Sequence, residues 1–571
     1  MDREAVKSRG VPLNLYPQIA RQLIRRFARP FRVAWRRSWL YRRLLKGKMP
    51  DRILFHPFDG LPRRLEEADL LLKGRFRFGQ ETVEVKEGSV FDKPAPSDSW
   101  SKALHGFAWL PPLSAAGGEP SRILATNLIS QWIRRNARYA EPAWSADVMA
   151  ERLLLLFAHG RFVTANSDVM WRSKLLVSLR EQSRLLARSF DEAPEGLPRL
   201  SAAVAHVLSG ACLNDSAKRL ETGLAHLEEQ IVRQILPDGG HITRSPEALL
   251  HAYRLTVMAV DALTATDRQV PASIRSAHDR MAPMLRFFRH GDGGLALFNG
   301  GSECDRRMIE ALLARDDIHG QPFQHAPHSG YQRMIAGKTL AIMDCGSPPP
   351  GEFSLRAHAG CLAFELSSGP QRIVVNCGDG NGSLTWESAL RSTAAHSTVT
   401  LADTSVATVL QPGLALGLLG ARLLGGSVRV ETTREEISQG CRVDARHNGY
   451  LKPFGVTHER SLSLSPRGNA LSGVDRLLPA VTGSRRDSVP YAVRFHIHPD
   501  VRVSPSQGTG FILKLPGGEG WRFRCSAETT IEESVYVGTG SVRRAEQIVI
   551  AGAVKDTPVE IGWAFEQMPA G

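Results

Sequence analysis

The sequence predicts two large domains of different class, a helical one followed by an antiparallel β-sandwich, behind a short basic segment. From about Ser121 to Arg315, seven segments repeat apolar residues at i, i+3, i+4 and i+7, the period of an amphipathic helix. From about Tyr331 the pattern changes to short runs of β-formers broken by Gly, Pro and Ser at intervals of roughly 8–12 residues, as in a sandwich. A chain of 571 residues is also too long for one ordinary core. The expected divisions are residues 1–50 for the basic segment, 51–328 for the helical domain with a lead-in, and 329–571 for the sandwich.

Hydrophobic residues make up 42% and charged residues 23%, as in a globular protein. No run approaches about 18 uninterrupted apolar residues, so a membrane-spanning helix is not expected. MDREAVKSRGVPLNLYPQ is polar and broken by proline, unlike the apolar core of a secretory signal, which points to the cytoplasm or the inner membrane face. The net charge of +14 suggests an anionic partner: an acidic glycan, a membrane surface or a nucleic acid. Nucleic acid is set aside, because the basic residues beyond the N-terminus are not interleaved with aromatics as in a nucleic-acid module. The seven cysteines lack any C-x-x-C spacing and sit in apolar surroundings, which reads as buried free thiols in a reducing compartment.

In chain order, residues 17–48 place Ile19, Leu23, Ile24 and Phe27 at helical spacing beside a dense arginine face, with Pro30 as an interruption. Two readings stand: a helix lying on an anionic membrane, or one packing its apolar stripe on the main body. Residues 51–85 read as loops and short strands. The seven helical segments follow, and the glycines of Gly291–Gly301 suit tight turns at a cleft floor. In the sandwich, Cys361–Leu366 and Arg372–Asn376 flank Ser-Ser-Gly-Pro as a hairpin, and His396–Leu401 alternates as a half-buried strand. Those strands would deliver His358, Asn376 and His396 to one place. GDGNG (Gly378–Gly382) lacks the Lys-Ser/Thr and helix of a phosphate loop, so nucleotide binding is dismissed.

In the helical half the conspicuous loop is PDGGHITRSP, where His241 and Arg244 project from a turn and Ser245-Pro246 opens a helix. An imidazole and a guanidinium there suit a carboxylate or sulfate, although such residues on a loop are more often structural. HAPHSGYQRM brings Tyr331 and two histidines to the interdomain junction, as cleft or as linker. His496 and His498 read as structural.

RAHAGCLAFEL (356–366), VVNCG (374–378) and RSTAAHST (391–398) together resemble the C-terminal β-domain of the heparinase II/III-type polysaccharide lyases. The resemblance implies that the helices form an incomplete α/α toroid joined to an antiparallel β-sandwich. It implies a lyase that cleaves an acidic, uronate-containing glycan by β-elimination: a cation neutralises the C6 carboxylate, a base removes the C5 proton and an acid protonates the leaving oxygen. The DGGH-x-x-RSP segment borders the cleft in that family, and RHNGY (446–450) resembles a strand end facing it. Candidate acid/base groups are therefore His241, His447, Tyr450 and Tyr253, the last standing near Ala248 and Leu249, where a family tyrosine is expected. Candidate substrate-binding residues are Arg244, Arg356, Tyr331 and Trp132. The family's Asn-His pair has no counterpart beyond His206, and Arg356 and Gly360 replace the outer residues of its His-x-His-x-Asp. Elimination requires no cofactor. Some relatives hold a structural zinc, for which His358 and His396 remain, with a hydrogen-bonded polar cluster as the alternative. The other function compatible with the same fold is glycan binding or glycoside hydrolysis in envelope polysaccharide processing, the latter needing paired carboxylates.

Overall fold

The computed structural model of the protein describes residues 12, 15–214, 217–316, 321–380, 384–410, 412–424, 428–438, 440–480, 487–506 and 510–569. The first eleven residues of the basic segment and the last two of GDGNG lie outside them.

The helices of the first half are α1 (Tyr16–Arg37), α2 (Trp39–Leu44), α3 (Leu65–Leu72), α4 (Asp98–His105), α5 (Leu110–Ala116), α6 (Gly118–Arg135), α7 (Ala146–Ala158), α8 (Gly160–Thr164), α9 (Val169–Ser189), α10 (Leu197–Ala211), α11 (Ala217–Gln234), α12 (Pro246–Ala265), α13 (Ala272–Phe287) and α14 (Arg306–Leu313). All seven periodic segments are helical. One helix, α3, whose acidic first turn precedes a short apolar run, lies in the lead-in that the sequence reading left as loops and short strands, and α4 and α5 follow it. Proline does not break α1. Pro30 lies on an exposed face, where water can take the carbonyl that its missing N–H leaves unpaired.

The helices form an incomplete α/α toroid. Inner helices α7, α10 and α12 are buried along most of their length, while α9, α11 and α13 keep one polar face. Every residue from Arg199 to Ala211 in α10 is buried, and its run of Ser, Ala and Gly lets neighbouring helices approach closely on several sides. Trp132 belongs to this core. Its indole N–H donates to His105 Nδ1 (3.1 Å), and the Arg152 guanidinium lies 4.0 Å above its ring.

Two antiparallel sheets make the sandwich. One has the spatial order Val430–Ile437, Gly440–His447, Val456–Leu464, Ala470–Pro479, Val559–Gln567, Gly520–Cys525, Gly510–Lys514, Arg502–Pro505. The other runs Thr529–Tyr536, Arg543–Val554, Val489–Ile497, Gln371–Val375, Phe364–Ser368, Thr339–Asp344, Tyr331–Ala336, His325–Ala326, with Val399–Leu401 paired to the third. Between them pack Phe364, Phe495, Trp563 and Phe565, with Phe364 stacked on Trp563 at 5.4 Å. The expected hairpin pairs Leu366 with Val374 and carries a bulge at Leu366/Ser367. A helix, Leu384–Leu390, follows the GDGNG turn, where the sequence suggested none.

Several polar bridges join the two domains, among them His290 to Glu365 and Arg372 to Asp292, and Arg244 makes the most hydrogen bonds of these. Its backbone takes a left-handed φ of 59°, a costly conformation for a residue with a side chain. The guanidinium leaves the toroid and enters the sandwich. Nε donates to Ser329 O (2.7 Å), Nη1 to Gly346 O (3.1 Å) and Ser347 O (3.0 Å), and Nη2 to Gly330 O (3.2 Å) and to the carboxylate of Asp344. Tyr331 O–H donates back to Arg244 O (2.7 Å) and accepts from Asn299 (2.9 Å). A Cβ on Gly346 would lie 2.3 Å from the guanidinium, so that position admits only glycine.

Removing this guanidinium leaves the Asp344 charge buried and unpaired, which costs about 3–5 kcal/mol. Arg244→Ala is expected to lower the melting temperature sharply and bring the domain junction into fast amide exchange. Arg244→Lys should restore little, because one ammonium cannot span the same set of acceptors. An Arg244→Ala protein melting with wild type would contradict the assignment.

Candidate active site

Ser245-Pro246-Glu247 determines one wall of the interdomain cleft. Ser245 Oγ caps the helix by accepting from Ala248 N–H, proline fills the first turn, and Glu247 therefore sits at the positive end of α12. Its Oε2 accepts from the N–H (2.9 Å) and O–H (2.8 Å) of Ser302, and its Oε1 lies 3.9 Å from His251 Nε2. From the sandwich, Arg356 reaches over Gly300 O (3.3 Å) and pairs with Asp379, while Glu247 and Glu387 also attract it.

The cleft between the domains measures about 1180 Å³. Among the described residues six carboxylates line it, Glu67, Glu247, Glu303, Asp305, Asp379 and Glu387, against five arginines, Arg64, Arg77, Arg306, Arg307 and Arg356. The balance is slightly negative, although the chain as a whole is strongly basic. Glu303 is held by Tyr536 O–H (2.5 Å) and Arg306 (3.4 Å). Cys304 also lines the cleft, but burial, followed by the nearby Glu247, pushes its thiol well above the ordinary range, so it is no ready nucleophile.

Of the ten residues nominated from the sequence, Arg356 lines this cleft, with 60% of its side chain exposed. Arg244 and Tyr331 form the domain junction, and Trp132 lies in the toroid core. His241 is buried in its own turn: Nε2–H donates to Gln234 Oε1 (3.1 Å), and Nδ1 accepts from Thr243 N–H (3.3 Å). Desolvation lowers its pKa to about 3. Tyr253 is fully buried and stacks on His278. Tyr450 O–H donates to Val399 O (2.9 Å) inside the sandwich. His447 belongs to a buried relay: Gly449 N–H donates to its Nδ1, its Nε2–H to His458 Nδ1 (3.1 Å), and His458 Nε2–H to Asp475 (2.7 Å). Asp475 also takes two hydrogen bonds from Arg460 and one from Trp563. Phenols and imidazoles expected at the cleft are thus structural partners inside the two cores.

The model for the heparinase II/III-like C-terminal domain matches residues 318–564. FtsZ-localized protein C of Caulobacter vibrioides (strain NA1000 / CB15N) is 33% identical over 541 residues, covering 93% of this chain and 92% of that protein. The chain belongs to the heparinase II/III-like family. Among solved structures, heparinase III superposes with a TM-score of 0.69 at 16% identity, over 98% of this chain and 93% of that one. Heparan sulfate lyase HepC from Pedobacter heparinus gives 0.59 at 16% identity, over 93% and 87%.

The zinc site that the resemblance implied is only half furnished in this heparinase II/III-like chain. His396 Nδ1–H donates to Ser392 O (2.8 Å), which leaves Nε2 to accept from His358 Nδ1–H (3.1 Å). His358 Nε2 is then a buried, unpartnered lone pair. Asn376 turns to Glu365 and Ser397, and a Cβ on Gly360 would meet His396 at 2.7 Å. Among the described residues no three His, Cys, Asp or Glu side chains gather to hold a metal. Two imidazoles do not fit a zinc centre, which takes about four ligands.

Sequence reasoning missed the cleft carboxylates. Glu247 stands inside the RSPEALLHAYR stretch and carried a signal, the Ser-Pro helix start that aims a first-turn side chain outward. Ser302 to Arg307 follow directly on the glycine turn placed at the cleft floor.

Burial lowers the imidazole pKa to about 3 at His206, His241 and His496 and to about 4 at His396. Unfolded imidazoles take up protons near pH 6.5, so proton uptake favours the unfolded chain below that pH. Stability should be full above about pH 6.5 and fall as pH drops towards 4. Calorimetric melting temperatures should therefore decline already between about pH 6.5 and 5, before carboxylates titrate. A flat profile across that interval would refute neutral burial of these histidines.

Proposed function

We propose that the protein holds a glycan in the interdomain cleft without eliminating it, at sites where FtsZ gathers. The observation that carries the first part is the separation of groups: arginines and carboxylates line the cleft in near balance, whereas His241, Tyr253, His447 and Tyr450 are buried away from it. Elimination needs a base beside a neutralised uronate. Arg356 supplies a cation and His251, beside Glu247, an imidazole within its field, yet a polyanion entering here meets six carboxylates. An uncharged or amino-bearing glycan meets hydrogen-bonding partners of both signs without net repulsion. The second part rests on the likeness to FtsZ-localized protein C along nearly the whole of both chains.

One observation favours glycoside hydrolysis as a second reading. Glu247, Asp379 and Glu387 converge on Arg356 from different elements, and paired carboxylates across a cleft are what hydrolysis requires.

The test is incubation of the protein with uncharged, amino-bearing and uronate-containing glycans, with binding, absorbance of unsaturated uronate and new reducing ends all measured. Binding without either product signal, weakened about tenfold or more by Arg356→Ala, is the expected result. Reducing ends that vanish in Glu247→Gln would establish hydrolysis instead. Growth of the unsaturated-uronate signal would overturn the binding reading. A fluorescent fusion that fails to follow FtsZ would refute the localisation.

A further inference from the structure

Helix α1 is mounted with its polarity reversed. Ile24, Phe27, Phe31 and Trp35 recur at three- and four-residue spacing and form one stripe, as core-facing residues of a surface helix do. Here the stripe points outward, with exposures of 69%, 75%, 79% and 50%. The opposite, arginine face is the one seated on the protein. Arg29 pairs with Glu141, and Arg36 donates to Glu192 (2.6 and 2.8 Å) and Tyr139 O–H (3.1 Å). Arg37 donates to Tyr139 O (3.0 Å). At its N-terminal end α1 packs against the helix Leu414–Leu419, whose Leu414 is likewise exposed, and α2 adds exposed Trp39, Leu40 and Leu44.

The body therefore holds α1 by these charges and by Ile19 and Val33, and among the described residues the outward stripe meets only Tyr41, edge-on to Trp35. Exposed Arg21, Arg25 and Arg26 accompany the stripe, and Arg42 and Arg43 follow it, with Arg43 over the ring of Trp39. Aromatic and aliphatic side chains accompanied by exposed arginines match an interface where hydrocarbon lies beneath negatively charged headgroups. Among the described residues no helix is long and apolar enough to cross a membrane, so the fit is to lying on one.

We propose that α1 and α2 form a preformed docking surface for an anionic lipid bilayer, with Ile24, Phe27, Phe31, Trp35 and Trp39 entering the acyl boundary and the neighbouring arginines meeting the headgroups. This surface is independent of the cleft and of what the cleft holds.

Flotation of the full chain with vesicles tests it, using phosphatidylcholine alone and phosphatidylcholine mixed with phosphatidylglycerol. The wild type should float with the anionic vesicles and far less with the neutral ones, and added salt should weaken binding. Phe27→Glu with Phe31→Glu changes two exposed positions, so the melting temperature should stay put while vesicle binding falls about tenfold or more. Arg21→Glu with Arg25→Glu and Arg26→Glu should abolish the preference for anionic lipid. A wild type that stays soluble with anionic vesicles, or a phenylalanine variant that floats equally well, would overturn the proposal. So would a wild-type dimer, seen by light scattering, that the phenylalanine variant turns into a monomer without any change in lipid binding, because the stripe would then be a subunit interface.

Discussion

The densest set of bonds at the centre of this molecule converges on one guanidinium. Arg244 projects from a toroid loop into a ring of sandwich carbonyls and one carboxylate, and its left-handed backbone is held by the bonds its side chain makes. The junction is also held by His290 against Ser367 and Glu365, Arg372 against Asp292 and Tyr536 against Glu303, and the toroid core takes in Tyr331, Leu340 and Ile342 of the sandwich. Arg244 adds a planar donor fork whose N–H groups point in fixed directions. With the angle set, Glu247 and the Ser302–Arg307 segment face Arg356, Asp379 and Glu387 across a cleft. A residue that reads from sequence as a substrate clamp is a clamp between domains.

The same displacement recurs among the histidines. A His or Tyr beside a glycine turn looks catalytic because few other roles need a polar ring at such a place. Both halves of this protein supply such a role. The toroid turn at His241 and the strand ends at His447 and His358 carry backbone and side-chain polar groups that must be satisfied after burial, and a neutral imidazole, donor at one nitrogen and acceptor at the other, suits that. The relay from Gly449 through His447 and His458 to Asp475 is closed at its far end by Arg460, which also donates to Leu362 O (2.9 Å) and Ser397 O (2.7 Å). Arg460 thereby ties the sheet that bears it to the segments carrying His358 and His396. These polar groups tie the strands and turns that carry them into the two cores.

Fold was legible where periodicity was strong. The seven helices and most sandwich strands follow from apolar spacing, because those elements bury one face. The α3–α5 region was read too weakly, since short helices show barely two turns of pattern. Pro30 misled for a related reason: the rule that proline breaks helices assumes that the freed carbonyl is costly, which fails on a wet face. The candidate site was legible in its location and only thinly in its members. The Ser-Pro helix start and the glycine turn both border the cleft, but the carboxylates that line it are ordinary surface residues in sequence. Only the domain angle brings them together.

Helix α1 shows why burial is needed to finish what patterning begins. From sequence, an apolar stripe with an arginine face has two outcomes, core packing or an external partner, and composition does not choose. Glu141, Glu192 and Tyr139 choose, because the acidic and carbonyl acceptors for the arginines lie on the toroid surface. Turning the helix over would place Phe27 and Phe31 against these polar groups and release the arginines to water, leaving Glu192 without Arg36, its partner from the buried side. The outward stripe is thus the arrangement that this body's charges select, and among the described residues it stays exposed.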